Sequence, residues 1–328
     1  MAVSSGLTAA LKRVVLELES DLRQRVESQP DVRGRWTVEH QQAVNRERTA
    51  MSWVEWRDDR VTQAAVAWVL TTVFVRFCED NALLKPVWIA GPERRRQEAL
   101  DAELAYFRQH PEETDREWLL QAVSYLGSLR ATKELVESHS PLWSVSPSGP
   151  AAKRLIAFWR ERTADGSLVW DLHDPELSTR FLGDLYQDLS DYAEDVRPAA
   201  DARVRRGVHP RPDPRTGPAR AALEGFSMID PTCGSGHFLL GAFARLNDRA
   251  GRRPRQGWRC RHGGAKALDA VHGVDLNPFA VAVTQFAWWW RPSGRVSWRD
   301  WRMHRGSPSI SPAEIRCSTG AARERSTS

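Results

Sequence analysis

The segment Phe226-Ser-Met-Ile-Asp-Pro-Thr-Cys-Gly-Ser-Gly-His-Phe-Leu239 begins as a short apolar run that ends in Asp230. A turn with two glycines, Gly234 and Gly236, comes directly after this run. An apolar pattern with helical spacing then continues at Leu239, Ala242, Phe243 and Leu246. A strand, a glycine-rich loop and a helix in this order predict one unit of a parallel α/β sheet.

A second segment, Ala270-Val-His-Gly-Val-Asp-Leu-Asn-Pro-Phe-Ala280, repeats the pattern of a strand that ends in an acidic residue, here Asp275. Asn277 suits the N-cap of a following helix, and Pro278 suits the first position of that helix. Two successive units of this kind predict a doubly wound parallel sheet, in which a ligand lies at the carboxyl ends of the strands.

The residue types of these two segments suit an adenosine-type cofactor. Gly234 and Gly236 remove side chains where a backbone passes close to a ligand, and Asp275 can accept hydrogen bonds from both hydroxyls of a ribose. The dinucleotide-binding fingerprint G-x-G-x-x-G requires glycine where this chain has Leu239, which disfavours NAD. Asp230 would repel a diphosphate, whereas its carboxylate suits the ammonium group of a methionine moiety.

Both segments carry a resemblance to a known family. Asp230-Pro-Thr-Cys-Gly-Ser-Gly-His-Phe-Leu239 and Gly273-Val-Asp-Leu-Asn-Pro-Phe-Ala280 resemble the S-adenosylmethionine-binding half of DNA adenine-N6 methyltransferases. More closely, the chain resembles the N-terminal part of the PglX family of adenine-specific methyltransferases, from the phage growth limitation (bacteriophage exclusion, type 2) defence system. Other stretches that share this resemblance are residues 64–70, 79–81, 106–115, 141–143 and 181–190.

This resemblance implies an α/β protein, in which a helical N-terminal domain precedes an incomplete Rossmann-like, class I S-adenosylmethionine-dependent methyltransferase domain. The cofactor-binding residues that it implies are Asp230, Pro231, Gly234, Gly236, Asp275 and Asn277. Asp230 and the two glycines would hold the methionine end of the cofactor, and Asp275 would hold its ribose. The implied partners are double-stranded DNA and other proteins of a phage-defence system.

The catalytic tetrapeptide of that family, Asn/Asp-Pro-Pro-Tyr/Phe, does not occur in this sequence. In such a motif, polar acceptors bind the N6 amine of adenine and an aromatic ring stacks on the flipped base. The catalytic residues therefore stay unassigned. Two interpretations remain open: an adenine-specific DNA methyltransferase of phage defence, for which the missing tetrapeptide leaves the activity of this chain alone open, or a non-catalytic DNA- or protein-binding module with a remnant cofactor fold.

Charge and apolar spacing divide the chain. Residues 1–200 carry 25 Lys and Arg against 32 Asp and Glu, whereas residues 201–328 carry 22 against 10. The strongest helical patterns are at 7–22, 61–81, 111–126, 151–163 and 178–191. We predict a helical domain over 1–193, an Arg/Pro-rich segment over 194–222, a partial methyltransferase domain over 223–287 and a disordered tail over 288–328.

The four cysteines form no C-x-x-C pair, which excludes a disulfide framework and a four-thiolate zinc site as organising principles. Cys260 and His262 have a spacing close to that of zinc ligands but no second pair, so we expect no metal. The longest apolar stretch, 64–77, is shorter than a membrane-spanning helix requires, and the N-terminus lacks the pattern of a signal peptide. We therefore expect a soluble, cytoplasmic protein without a membrane partner.

Stretches rich in Arg, Pro or Trp interrupt the family-like sequence at 194–222, at 248–264 and from 288 onward. One hypothesis is that the chain is truncated or carries paired frameshifts in GC-rich DNA. We then expect family-like sequence in the neighbouring reading frames of the coding DNA under 194–222 and 248–264, and its absence there would contradict the hypothesis. Alternatively, these Arg residues contact phosphates while the tryptophans at 288–290 stack on bases.

Overall fold

The computed structural model describes residues 2–129, 132–136, 140–174, 180–195, 226–234, 236–251, 270–275, 281, 283–285 and 317–319. The chain forms two compact units, Met1–Pro198 and Ala199–Ser328. Each unit has its own secondary structure and its own core. The domain bounds expected from the sequence stay a prediction.

The described part of the first unit is built from seven α-helices. These are α1 (Ala2–Ser28), α2 (Pro30–Asn45), α3 (Trp53–Asp80), α4 (Arg96–Gln109), α5 (Asp115–Ser128), α6 (Gly149–Trp159) and α7 (Arg180–Asp195). Short 3-10 turns lie at Glu93–Arg95, Lys133–Val136 and Pro141–Trp143. The prediction of a helical first part is confirmed, whereas α2 and α4 were not predicted as separate helices.

Helix α3 packs against α1, α2, α5, α6 and α7 and forms the centre of this unit. It begins with a capping box, in which the Ser52 hydroxyl accepts from the Glu55 N–H and the Glu55 carboxylate accepts from the Ser52 N–H. Almost every side chain from Val61 to Asp80 is buried, on all sides of the helix. Burial all round marks a core helix rather than a surface helix with one apolar stripe.

The length of α3 corrects one expectation from the sequence. The apolar stretch 64–77 is part of a longer helix, α3, which has 28 residues. Within the described residues, α3 is the single helix that is long and apolar enough to cross a membrane. However, 94% of its most apolar window is buried inside the protein. Its apolar character is therefore explained by the core of the helical unit.

Glu79, near the C-terminal end of α3, has no solvent exposure and accepts four backbone hydrogen bonds. Its Oε1 accepts from the N–H groups of Trp88 (2.6 Å) and Ile89 (2.8 Å). Its Oε2 accepts from the N–H groups of Ala90 (3.1 Å) and Gly91 (2.8 Å). One carboxylate thus satisfies four consecutive backbone donors, which would otherwise be buried without partners.

Arg76 and Asp80, one turn apart on α3, extend this buried network to a second loop. The Arg76 guanidinium donates to the Gly91 carbonyl (2.7 Å), the Asp80 carboxylate (3.0 Å) and the Trp170 carbonyl (3.1 Å). Asp80 in turn accepts from the Leu172 N–H at 2.9 Å. Burial raises the pKa of Asp80 to about 6, against the opposing effect of the Arg76 charge. The end of α3 therefore fixes two separate loops through charged side chains.

The second unit contains a small parallel sheet in the order β1 (Met228–Asp230), β2 (Val271–Asp275) and β3 (Cys317–Thr319). Helix α8 (His237–Gly251) follows β1 and packs on β2. This arrangement confirms the predicted strand, glycine loop and helix of the first segment. With three short strands and one long helix described, the complete Rossmann-like domain stays a prediction.

The core of the second unit lies between α8 and the sheet. It consists of Cys233, Leu239, Leu240, Phe243, Leu246, Ala270 and Val271. The helical spacing of the α8 residues explains why one face of this helix is buried. The core therefore sits directly beneath the loop that joins β1 to α8.

We predict that Glu79→Gln lowers the free energy of unfolding of the helical unit by about 3 kcal/mol or more. The glutamine places an NH₂ group against backbone donors and leaves Asp80 as the remaining carboxylate beside the Arg76 charge. Urea unfolding followed by tryptophan fluorescence measures this loss. Glu112→Gln, on an exposed side chain, is the control, and equal midpoints for the two variants would contradict the prediction.

Candidate cofactor site at the strand ends

The candidate site is formed where β1 and β2 end side by side. The two strands are parallel, and Asp230 is aligned with Gly273, so that Asp275 lies two residues further along its strand. Neighbouring strands are about 4.8 Å apart and each residue advances about 3.3 Å. The sheet thus brings two acidic residues, both partly exposed, to one edge, as the sequence predicts for strand ends.

Asp230 stabilises the first turn of the loop that follows β1. Its Oδ1 accepts a hydrogen bond from the Thr232 N–H at 3.1 Å, the local pattern by which aspartate forms turns. Pro231 and Thr232 are both exposed in this turn. Asp230 therefore already has a structural role, and its partly exposed carboxylate lies at the edge where we expect the ligand.

The loop next returns over the end of β2. The Cys233 N–H donates to the Val274 carbonyl at 3.0 Å, and the Gly234 N–H donates to Asp275 Oδ2 at 2.8 Å. The sequence assigned Asp275 to ligand binding alone, but the structure places its carboxylate on the backbone of the glycine loop. An ionised carboxylate has about four acceptor positions, so a loop contact and a ligand contact are chemically compatible.

Gly234 has a backbone conformation that favours glycine, and none of the described residues fills the space beside it. Its φ is +52°, in the left-handed region. A Cβ at this position would have no heavy atom of the described residues within 4 Å, apart from its chain neighbours. This opening next to Asp275 agrees with the expectation that a ligand passes close to the backbone here.

Gly236 packs against another residue of the protein, and its expected contact with the cofactor stays a prediction. Its φ is +79°, and a Cβ here would lie 2.6 Å from Cγ2 of Thr284, which is fully buried. The space beside Gly236 is therefore occupied by the protein itself. Its missing side chain is explained by packing against Thr284, independently of any contact with a ligand.

Two residues that bring the site together were not singled out from the sequence. Thr284 donates from Oγ1 to the Gly234 carbonyl at 2.8 Å. Gly273 lies in β2 where a Cβ would meet Leu239 Cδ1 at 2.4 Å and Cys233 Sγ at 3.1 Å. Their sequence signals are weak, because a threonine in an apolar run and a glycine in a strand both have many ordinary explanations.

Cys233 is 6% exposed and packs in the core beneath the loop. This burial is typical of a small structural residue. Asn277, which the sequence adds to the cofactor-binding set, lies outside the described residues, as do Cys260 and His262. Among the residues that the structure does describe, no three His, Cys, Asp or Glu side chains are grouped as metal ligands would be.

The chain matches no family model and no solved structure. It is similar to a protein named adenine-specific methyltransferase PglX from Streptomyces coelicolor (strain ATCC BAA-471 / A3(2) / M145). The two are 43% identical over 288 residues, which cover 84% of this chain. The chain spans 24% of the length of that relative. The resemblance drawn from individual motifs is thus confirmed by similarity over most of this chain.

We predict that Gly236→Ala disrupts the loop of the second unit, because the new Cβ meets Thr284 and the positive φ adds strain. Hydrogen–deuterium exchange of the peptide that covers 231–240 should become faster. Gly241→Ala is the control, since a Cβ there contacts no heavy atom of the described residues and alanine favours the interior of α8. Slow exchange in Gly236→Ala, as in the wild type, would contradict this packing argument.

Proposed function

This chain is a relative of the PglX-type adenine-specific methyltransferases, and we propose that its second unit binds the S-adenosylmethionine of a DNA adenine-N6 methyltransferase. The name of the relative supports a methyltransferase in general. The cofactor, the DNA substrate and the role in phage defence are parts of the proposal. So are a cytoplasmic location and association with other proteins of such a defence system.

One observation carries the proposal: Asp230 and Asp275 end adjacent parallel strands, and the Gly234 backbone lies beside Asp275. In this arrangement Asp230 would attract the ammonium group of the methionine moiety. Asp275 would accept hydrogen bonds from the ribose hydroxyls, as acidic residues at this position of nucleotide-binding sheets do. None of the described residues fills the space beside Gly234, which agrees with a ligand at this place.

The negative charge of the site fits this cofactor better than a dinucleotide. A diphosphate at the loop after β1 would lie near the Asp230 carboxylate, whose charge would repel it. S-adenosylmethionine instead has an ammonium and a sulfonium group, so the acidic edge favours it. When bound, the cofactor supplies an electrophilic methyl group, while the residues of this chain bind and orient the molecule.

Methyl transfer also requires acceptors for the N6 amine of adenine. Since the sequence lacks Asn/Asp-Pro-Pro-Tyr/Phe, we propose that this 328-residue chain binds the cofactor and does not methylate DNA by itself. The same observation favours the second candidate, a non-catalytic DNA- or protein-binding module with a remnant cofactor fold. The excess of Arg and Lys over acidic residues in 201–328 agrees with contact to DNA phosphates in both cases.

Titration calorimetry of the full chain with S-adenosylmethionine tests the cofactor site. We expect the wild type to bind and Asp275→Asn to bind about tenfold more weakly or worse, because asparagine keeps one acceptor oxygen for the Gly234 N–H and the ribose hydroxyls together. Asp101→Asn, which removes one carboxylate from an exposed position of α4, is the control and should bind as the wild type does. A folded wild-type chain that produces no binding heat would overturn the proposal.

A second measurement tests whether this chain transfers methyl groups to DNA by itself. The chain is incubated with plasmid DNA and S-adenosylmethionine that carries a tritiated methyl group. We expect cofactor binding without transfer of label to DNA, because the sequence lacks the tetrapeptide that would accept from the N6 amine. Label that appears on adenine N6 with this chain alone would refute the inactive assignment and favour the enzyme.

A further inference from the structure

We infer that Thr284 is a positioning residue of the cofactor site, which holds the glycine loop in the conformation that accepts S-adenosylmethionine. The inference rests on the proposed function for its ligand, whereas the role of Thr284 in the loop stands on contacts within the protein. Thr284 itself would not touch the ligand. Its side chain would act through Gly234 and Gly236.

A single side chain fixes both glycines of the loop. The Thr284 hydroxyl donates to the Gly234 carbonyl at 2.8 Å. Its Cγ2 would lie 2.6 Å from a Cβ on Gly236, and its Oγ1 would lie 2.8 Å from the same Cβ. Thr284 has no solvent exposure, whereas Gly234 is partly exposed, so the hydroxyl end of this hydrogen bond is shielded from water. The loop is therefore held by one polar contact and one packing contact from the same residue.

The contacts of Gly234 explain why Thr284 matters for a ligand. The Gly234 N–H donates to Asp275, and the Gly234 carbonyl accepts from Thr284. These two groups belong to the peptide planes on either side of Gly234, so both planes are fixed. A binding loop that is already ordered loses less entropy when its ligand binds.

A buried threonine hydroxyl in a helix usually has a local acceptor. In α3, Thr71 donates to the Ala67 carbonyl and Thr72 donates to the Val69 carbonyl, both within the same helix. Residues 283–285 are also helical, yet the Thr284 hydroxyl donates to a loop about 50 positions earlier in the chain. This long-range contact is what distinguishes Thr284 from a helical threonine with only a packing role.

Replacement of Thr284 by valine keeps the shape of the side chain and removes the donor. The Gly234 carbonyl then lacks its protein partner, and its peptide plane can rotate. We expect the dissociation constant for S-adenosylmethionine to rise about tenfold, which corresponds to the loss of one buried hydrogen bond. Thr284→Ser keeps the hydroxyl and should restore the affinity to within about twofold of the wild type.

The test measures two quantities on the full chain: the affinity for S-adenosylmethionine and the hydrogen–deuterium exchange of residues 231–240 without ligand. Thr284→Val should weaken binding and speed exchange of the Cys233 and Gly234 amides, and Thr284→Ser should reverse both changes. Val283→Ala is the matched control, because it shortens a fully buried neighbour without removing a hydrogen bond. Thermal unfolding of each variant shows how much of any change follows from lower stability.

Each outcome decides the question. Equal weakening in Thr284→Val and Val283→Ala, at equal loss of thermal stability, would mean that Thr284 only packs, and would overturn the inference. If the wild type does not bind S-adenosylmethionine, the proposed function fails. The hydrogen–deuterium exchange of residues 231–240 then still tests whether Thr284 positions the loop. Unchanged exchange in Thr284→Val overturns its positioning role, whereas faster exchange that serine reverses supports it.

Discussion

A carboxylate without solvent exposure, Glu79, holds the loop at 88–91 by accepting from four consecutive backbone N–H groups. Burial of this charge costs desolvation free energy, which is offset because both carboxylate oxygens accept hydrogen bonds. Arg76 and Asp80 on the same helix attach a second loop, through Trp170 and Leu172. The packing of the helical unit around α3 depends on this network. A buried cluster of this kind resembles a catalytic site in composition, yet its contacts explain it as structural.

In the second unit, too, an irregular loop is held by hydrogen bonds to distant residues, here at the candidate cofactor site. The loop after β1 lacks regular secondary structure, so its backbone groups need partners from elsewhere. Val274, Asp275 and Thr284, which follow much later in the chain, provide them. A loop that is held by residues from another part of the chain can keep a glycine at positive φ and present an already ordered backbone to a ligand. The geometry of the candidate site is therefore a property of two chain segments together.

The sequence predicted the elements whose signals are local. Apolar spacing located α1, α3 and α5 to α7, and the order of strand, glycines and helix located β1 and α8. It could not show that Glu79 is buried, because its four partners lie in an irregular loop. Nor could it assign Gly236, since a glycine beside a ligand and a glycine beside a threonine methyl are identical in the sequence. Long-range contacts decide between these alternatives, and periodicity contains no information about them.

Asp275 illustrates why one residue can be difficult to interpret from substitution alone. Its carboxylate holds the Gly234 N–H and is also the proposed acceptor for the ribose, so its removal changes the loop and the ligand contact together. Thr284 acts on the other side of the same glycine and has no proposed ligand contact. Loop order and ligand affinity are linked, because a ligand that binds one loop conformation stabilises it by the same free energy. Comparison of the two residues therefore separates the part of the binding energy that comes from the ordered backbone from the part that comes from the carboxylate.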